Sequence, residues 1–331
     1  MKAVQIAELT GPQSALRVVD LPEPPPVSPF APGPVVTVDV HAAGVSFPEL
    51  LQTRGQYQLK PPLPFVPGSE VAGTVRHAPD GSRFRPGQRV FAFCLNGGWA
   101  EVAAAPELLT FPLADDLDYA QGAGIVLNYH TAYFSLKVRG RLQPGETVLV
   151  HGAAGGVGTA GLQVAKGLGA RTIAVVSSDA KAEVARAAGA DEVVRSDGPW
   201  KDEAVALTGD RHGVDVVLDP VGGDRMTDSL RALREGGRLL VVGFTAGSIP
   251  EIRVNRLLLN NIEVVGAGWG AYVLRHPDAN GEIGAAVNQL IAEGYVKPLV
   301  GGRFPPEQAA EALLMLERRG ATGKVVIEFR P

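Results

Sequence analysis

The sequence predicts an α/β protein in two parts, a small β-barrel followed by a doubly wound parallel sheet with helices on both faces. Three observations predict this. Glycine and proline, at 41 and 26 of 331 residues, make up about a fifth of the chain, so turns are frequent. Before Asp118, short apolar runs are punctuated by these two residues, as in a small barrel. From Asp118 to about Gly270, continuous apolar strands alternate with helical patterns, as in a parallel sheet buried on both sides.

In the first part, Val35 to Val40 alternates as a strand and Gly68 to Val75 is a second, with glycine breaks. Prolines crowd positions 22–34 and 61–67, where helix is disfavoured. Pro86-Gly87 turns the chain into a strand at Val90. In the second part, strands are expected at Thr147–His151, Thr172–Val176, Glu192–Val194, Val214–Leu218, Arg238–Val242 and Glu263–Val265. Val157, Gly161, Val164 and Leu168 share one face of a helix after the first of these. Further helices are expected up to Gly189, over Met226–Leu233 and over Glu307–Arg318, before a last strand, Lys324–Phe329. No internal repeat is visible.

The composition excludes several classes. Charged residues at 20% and hydrophobic ones at 45% are a globular balance, and 331 residues suggest two domains. A net charge of −4 gives no basic field for nucleic acid or anionic lipid. No membrane span and no leader segment is expected, and a cytoplasmic protein fits. The single cysteine, Cys94, excludes an intramolecular disulfide and a multi-cysteine zinc site. In the apolar run Val90–Leu95 it reads as a buried thiol.

The most informative segment is Val148-Leu149-Val150-His151-Gly152-Ala153-Ala154-Gly155-Gly156-Val157-Gly158. A strand runs into a glycine cluster that opens an amphipathic helix. This is a dinucleotide fingerprint, with Ala153 at the first glycine position. Ala154, Gly155, Gly156 and Val157 are where a pyrophosphate would approach the backbone and helix dipole, and Gly158 lets the helix pack closely. An NAD enzyme places an acid at the end of the second strand; this chain has Ser177, Ser178 and, after Asp179, Lys181. Two hydroxyls and an ammonium suit a 2′-phosphate, so NADPH is expected, while Ser178 also suits a helix cap.

Together with Ala43-Gly44-Val45-Ser46-Phe47, Pro67–Gly73, Phe84–Gly87, Leu142–Glu146, Asp219–Gly223 and Ala321–Val326, these residues resemble the zinc-free quinone oxidoreductase family of the medium-chain dehydrogenase/reductase superfamily. The resemblance covers nearly the whole chain. It implies a GroES-like catalytic domain at 1–122 and 271–331 around a Rossmann domain at 123–270. Zinc alcohol dehydrogenases of the superfamily hold metal where this chain has Ser46, Ser69 and the Val126-Leu127-Asn128 region. Serine is a poor zinc ligand beside thiolate and imidazole. Quinone reductase relatives generally have asparagine where Ser46 stands.

The resemblance further implies that Tyr57 lines the substrate cleft, stacking on a ring or donating to an oxyanion, and that Ser46 stands at a catalytic position that contacts the nicotinamide ribose or the substrate. Thr131, Val242, Phe244 and Trp269 would border the nicotinamide; the alternative for Trp269, read from the sequence alone, is a partly exposed aromatic. His130 and His151 read as packing residues, and no histidines are spaced as metal ligands. The implied activity is NADPH-dependent reduction of a quinone or enone. An enoyl-thioester reductase or a non-catalytic NADPH-binding protein are the alternatives. Finally, Leu257–Val265 is an apolar run expected to be the sixth, edge strand. An exposed apolar edge is normally covered or paired, and the family pairs it across a two-fold axis, so a homodimer is expected.

Overall fold

The protein, here a computed structural model, is described for residues 1–28, 30–31 and 33–330. Pro29 and Pro32 of the proline-rich stretch, and Pro331, lie outside the described residues. Strands β1 (Lys2–Ile6) and β2 (Leu16–Asp20) form an antiparallel pair. The alternating Val35–Val40 run extends into β3 (Val35–Val45), followed by β4 (Glu70–His77), β5 (Arg89–Phe93), β6 (Val102–Pro106) and β7 (Thr110–Pro112). The alternation then gives way to β8 (Thr147–His151), β9 (Arg171–Val176), β10 (Glu192–Arg195), β11 (Val214–Asp219), β12 (Leu233–Val241) and β13 (Glu263–Gly266). The chain closes with β14 (Val300–Phe304) and β15 (Lys324–Glu328).

Two units result: Met1–Leu127 with Val273–Ala285 and Pro298–Pro331, and Asn128–Tyr272 with Ala286–Lys297. The return segment is thus divided, since residues 286–297 of the helix Ala279–Ala292 and the turn after it pack with the second unit. In the first unit, among the described residues, the order is β14-β15-β3-β4-β5-β7, with β6 also paired to β3. Valines of β3 and β4 fill its core with Trp99, whose indole N–H donates to the Gly44 carbonyl at 2.9 Å. Cys94 is buried there, and burial pushes its thiol up to about 12.

In the second unit all neighbouring strands are parallel, in the order β10-β9-β8-β11-β12-β13. This is the doubly wound dinucleotide-binding arrangement, with its crevice between β8 and β11, where the order reverses. Leu149, Ile173, Val217 and Leu239, one from each of four strands, are fully buried. Truncating any of them would cost about 2–5 kcal/mol.

The run Leu257–Val265 corrects the sequence reading. Its first part is a helix, Asn255–Asn260, ended by Asn261 in the left-handed region at φ 49°. Only Glu263–Gly266 is strand, and it does lie at the sheet edge. The leucines Leu258 and Leu259 are 76% and 74% exposed on that helix. Asparagine tolerates the left-handed cap conformation, so the helix stops where the chain carries its Asn-Asn pair.

His151, the last residue of β8, is fully buried against Trp200, edge to face. Its Nε2 lies 2.8 Å from the Ser229 hydroxyl, which itself donates to the Arg225 carbonyl. The ring therefore donates to Ser229, and burial depresses its pKa from 6.5 to about 4. The folded state holds the ring neutral, so this stabilisation is complete above the unfolded pKa and is lost as pH falls from 6.5 towards 4. We expect His151→Gln to remove up to about 2 kcal/mol of the stability loss between pH 7 and pH 5, measured by urea unfolding. An unchanged pH dependence in the variant would show that His151 is not responsible.

Candidate active site and cofactor cradle

The second unit carries the glycine turn. The helix Gly156–Gly167 begins directly behind β8, and its N-cap, Gly155, has no side chain to occupy the first-turn amides. The backbone is packed too closely for side chains: a Cβ on Gly158 would lie 2.1 Å from the Gly152 carbonyl oxygen. Gly158 is therefore needed for the turn against the helix. The close helix-to-sheet contact expected at Gly158 falls instead at Gly161, where a Cβ would lie 2.4 Å from Leu218 of β11. Ala154 is buried, and Gly155, Gly156 and Val157 are half-buried along the rim. Free amides at a helix start and a bare backbone fit a pyrophosphate.

The end of β9 is polar. Ser177 is exposed, and Ser178 caps the helix Asp179–Ala187 by accepting from the Lys181 amide. The Lys181 ammonium donates to the Ser177 hydroxyl at 3.2 Å. Both readings of these residues, helix cap and cation beside a hydroxyl, hold at once. The structure adds Arg195, which sequence reasoning missed. It ends β10 in register with Val176, and its guanidinium donates to the Ser177 carbonyl at 3.3 Å while pairing with Asp179 and Asp197. Only the β9–β10 pairing brings it there, although its place at the end of a short strand was readable. Two cations thus flank Ser177, opposed by the exposed Asp179 carboxylate.

At the carboxyl edge of the sheet, Asp219 accepts from the Val221 and Gly222 amides at 2.8 and 2.9 Å and holds the turn after β11. Val242 and Thr245 donate back to Asp219 and Pro220, so the loops after β11 and β12 are stitched together. Phe244 lies against Gly222. Thr131 opens a short helical turn between two π-helical stretches, Val126–His130 and Phe134–Arg139. Trp269, expected to be partly exposed, is 2% exposed and packs edge to face on His130.

Ser46 and Tyr57 lie in the first unit, whereas every expected cofactor residue lies in the second. Ser46 caps the helix Phe47–Gln52, and its amide donates to Glu49 at 3.0 Å. The other oxygen of Glu49 accepts from the amide and hydroxyl of Ser69, at 3.0 and 2.6 Å. Burial raises the Glu49 pKa against these hydrogen bonds. Glu70 accepts from the Leu127 amide and is ion-paired with Lys324, whose ammonium also donates to Ser46 Oγ at 2.6 Å. Tyr57 is half-buried, and its hydroxyl pKa is raised by burial and then by Glu49. Glu49, Glu70 and Lys324 were not singled out in the sequence, although Glu70 and Lys324 stand inside the family motifs. Among the described residues, no three histidine, cysteine, aspartate or glutamate side chains are grouped as metal ligands.

A parallel sheet ordered for dinucleotides, together with a separate β domain that holds a buried polar cluster, defines a medium-chain dehydrogenase/reductase. Residues 32–115 match the alcohol dehydrogenase GroES-like domain family and residues 156–283 the zinc-binding dehydrogenase family. Quinone oxidoreductase-like protein 2 of Rattus norvegicus is 37% identical over 94% of this chain and 91% of its own. The quinone oxidoreductase of Thermus thermophilus, solved alone and with NADPH, is 34% identical with a TM-score of 0.81, covering 99% of this chain and 100% of that one. A probable oxidoreductase from Mycobacterium abscessus is 42% identical with a TM-score of 0.87, covering 99% and 98%. The chain belongs to the quinone oxidoreductase family of that superfamily.

Proposed function

We propose that the chain is an NADPH-dependent, zinc-independent reductase of quinones or α,β-unsaturated carbonyls. The observation that carries the reading is the residue set where zinc relatives hold their metal. Ser46 and Ser69 stand at two of the positions and the Val126-Leu127-Asn128 region, again without cysteine, at the third, and the cation touching Ser46 is the Lys324 ammonium. Neutral hydroxyls are weak zinc ligands beside thiolate and imidazole, and without a Lewis acid an alcohol is hard to deprotonate and oxidise. Reduction of an already electron-poor acceptor needs no such help. The names of the rat and Thermus relatives support the acceptor class, and the Thermus complex supports the cofactor.

The residues divide into roles. Ala154, Gly155, Gly156 and Val157 would hold the pyrophosphate at the helix start. Ser177, Ser178 and Lys181, with Arg195, would hold the 2′-phosphate, Asp179 offsetting part of the attraction. Thr131, Val242 and Phe244 would border the nicotinamide, with the buried Trp269 backing Thr131 through His130. When bound, NADPH supplies a hydride. Ser46 and Tyr57 are the groups that would meet the acceptor oxygen, Tyr57 as a neutral phenol, the form that its burial and the nearby Glu49 favour further. No helix of the described residues is long and apolar enough to cross a membrane; the net charge of −4 supports a small-molecule partner over nucleic acid, and a cytoplasmic location is part of the same proposal.

NADPH oxidation should be followed with quinones, enals and enoyl thioesters, for wild type and Lys181→Ala. We expect turnover with a quinone or an enal, and a loss of about tenfold in kcat/KM for NADPH in the variant with little change for NADH. Turnover confined to enoyl thioesters would move the substrate class, and NADPH binding without oxidation of any acceptor would make the chain a binding protein. Equal wild-type use of the two cofactors would refute the NADPH assignment.

We also propose a homodimer through the β13 edge. Its support is the edge position of β13 and the exposed apolar surface that precedes it, Ile249, Val254, Leu258 and Leu259, each more than 70% exposed. Large apolar side chains exposed close together in sequence beside an unpaired strand edge favour a contact there. Light scattering after size exclusion should give twice the 34.6 kDa chain mass, falling to one chain mass in Leu258→Glu/Leu259→Glu. A wild-type mass of one chain at micromolar concentration would exclude the dimer.

A further inference from the structure

The cofactor cradle does not explain the charged side chain buried at the start of β15. The Lys324 side chain is 3% exposed, and that of its ion-pair partner Glu70 is 1% exposed. A buried ammonium has three hydrogens to place, and a buried hydrogen without an acceptor is costly. Glu70 takes one, and Ser46 Oγ takes another at 2.6 Å. The two acceptors differ in kind. Glu70 neutralises the charge and is itself anchored by the Leu127 amide at 2.8 Å. Ser46 is neutral, and its backbone is fixed separately by Glu49.

A serine hydroxyl has one hydrogen and two lone pairs. With a lone pair committed to the ammonium, the Ser46 hydrogen has to point away from Lys324. The adjacent cation also draws electron density from the oxygen and makes that hydrogen a stronger donor. Ser46 itself is half-buried, more accessible than the lysine behind it.

We propose that Lys324 is a positioning residue that acts through Ser46, aiming and polarising its O–H toward the carbonyl oxygen of the acceptor. The inference rests on the reductase reading above. As the electron-poor carbon of a quinone or enone gains a hydride, the displaced π pair comes to rest on the carbonyl oxygen. Ser46 O–H donates a hydrogen bond to that oxygen, and water supplies the proton that completes the product. Lys324 loses no proton in this step, so its effect is electrostatic and geometric. A pre-aimed donor of this kind stabilises charge that develops only in the transition state.

The test is a double-mutant cycle on Ser46→Ala and Lys324→Met, read as kcat and KM for 1,4-naphthoquinone and as NADPH affinity by fluorescence. Ser46→Ala should lower kcat by about a hundredfold, the usual effect of one oxyanion donor. Lys324→Met should lower kcat about tenfold or more in the wild-type background and cause no further loss in the Ser46→Ala background. Lys324→Arg should recover most of the activity, and NADPH affinity should not move in any variant. An equal loss from Lys324→Met in both backgrounds, or parallel losses of NADPH affinity, would overturn the positioning role and leave Lys324 a structural ion. Because Lys324→Met strands Glu70, the cycle should be repeated with Lys324→Met/Glu70→Gln, which removes both charges together. A wild-type protein that reduces no quinone or enal removes the reductase reading and this inference with it. A wild type that turns over while the two variants combine additively overturns this inference alone.

Discussion

A buried ammonium has to be answered by a buried carboxylate, and in this chain that requirement organises the first unit. Lys324 begins β15 and Glu70 begins β4, and both strands pair with β3, on opposite sides of it. The ion pair therefore reaches across β3. It can do so only because residue 44 is glycine, where a Cβ would lie 2.6 Å from the Glu70 carboxylate. Breaking one partner of such a pair leaves an uncompensated charge and costs about 3–5 kcal/mol. Lys324 also donates to Ser46 Oγ at 2.6 Å, so the placement of the last strand and the orientation of Ser46 are one constraint. Glu49 adds a second arm by tying the Ser46 amide to Ser69.

The second unit works on a different principle. Its cradle is made by removing side chains, at Gly155, Gly156 and Gly158, so that backbone dipoles face outward. At the end of β9, Lys181 and Arg195 bring positive charge around Ser177. On the proposed reading, backbone amides would take a phosphate of either dinucleotide, whereas the two cations would discriminate by an added phosphate. Affinity and cofactor choice are therefore separable in the sequence.

Much of this was legible from residues alone. The alternation of Val35–Val40, the continuous apolar runs of β8, β9 and β11, and the glycine turn between strand and helix each have one local solution, and the structure adopts it. Leu257–Val265 did not, because a short apolar run has no periodicity that separates strand from buried helix. Leucine favours helix, and the Asn-Asn pair that ends it reads equally as a loop. Lys324 was quoted within its motif yet given no role, since a lysine at a strand start is usually solvated. Its burial depends on Glu70, 254 residues away in sequence. Arg195 and the burial of Trp269 were hidden for the same reason: each is set by a partner brought near only by sheet pairing or packing.

The most direct test of a metal-free reductive site is zinc content measured together with quinone reduction, on protein dialysed against a strong chelator. We expect zinc far below one ion per chain and NADPH-dependent quinone reduction undiminished by chelation. Stoichiometric zinc, with activity lost to the chelator and restored by the metal, would contradict a first unit in which serines stand at positions 46 and 69 and the cation on Ser46 is the Lys324 ammonium.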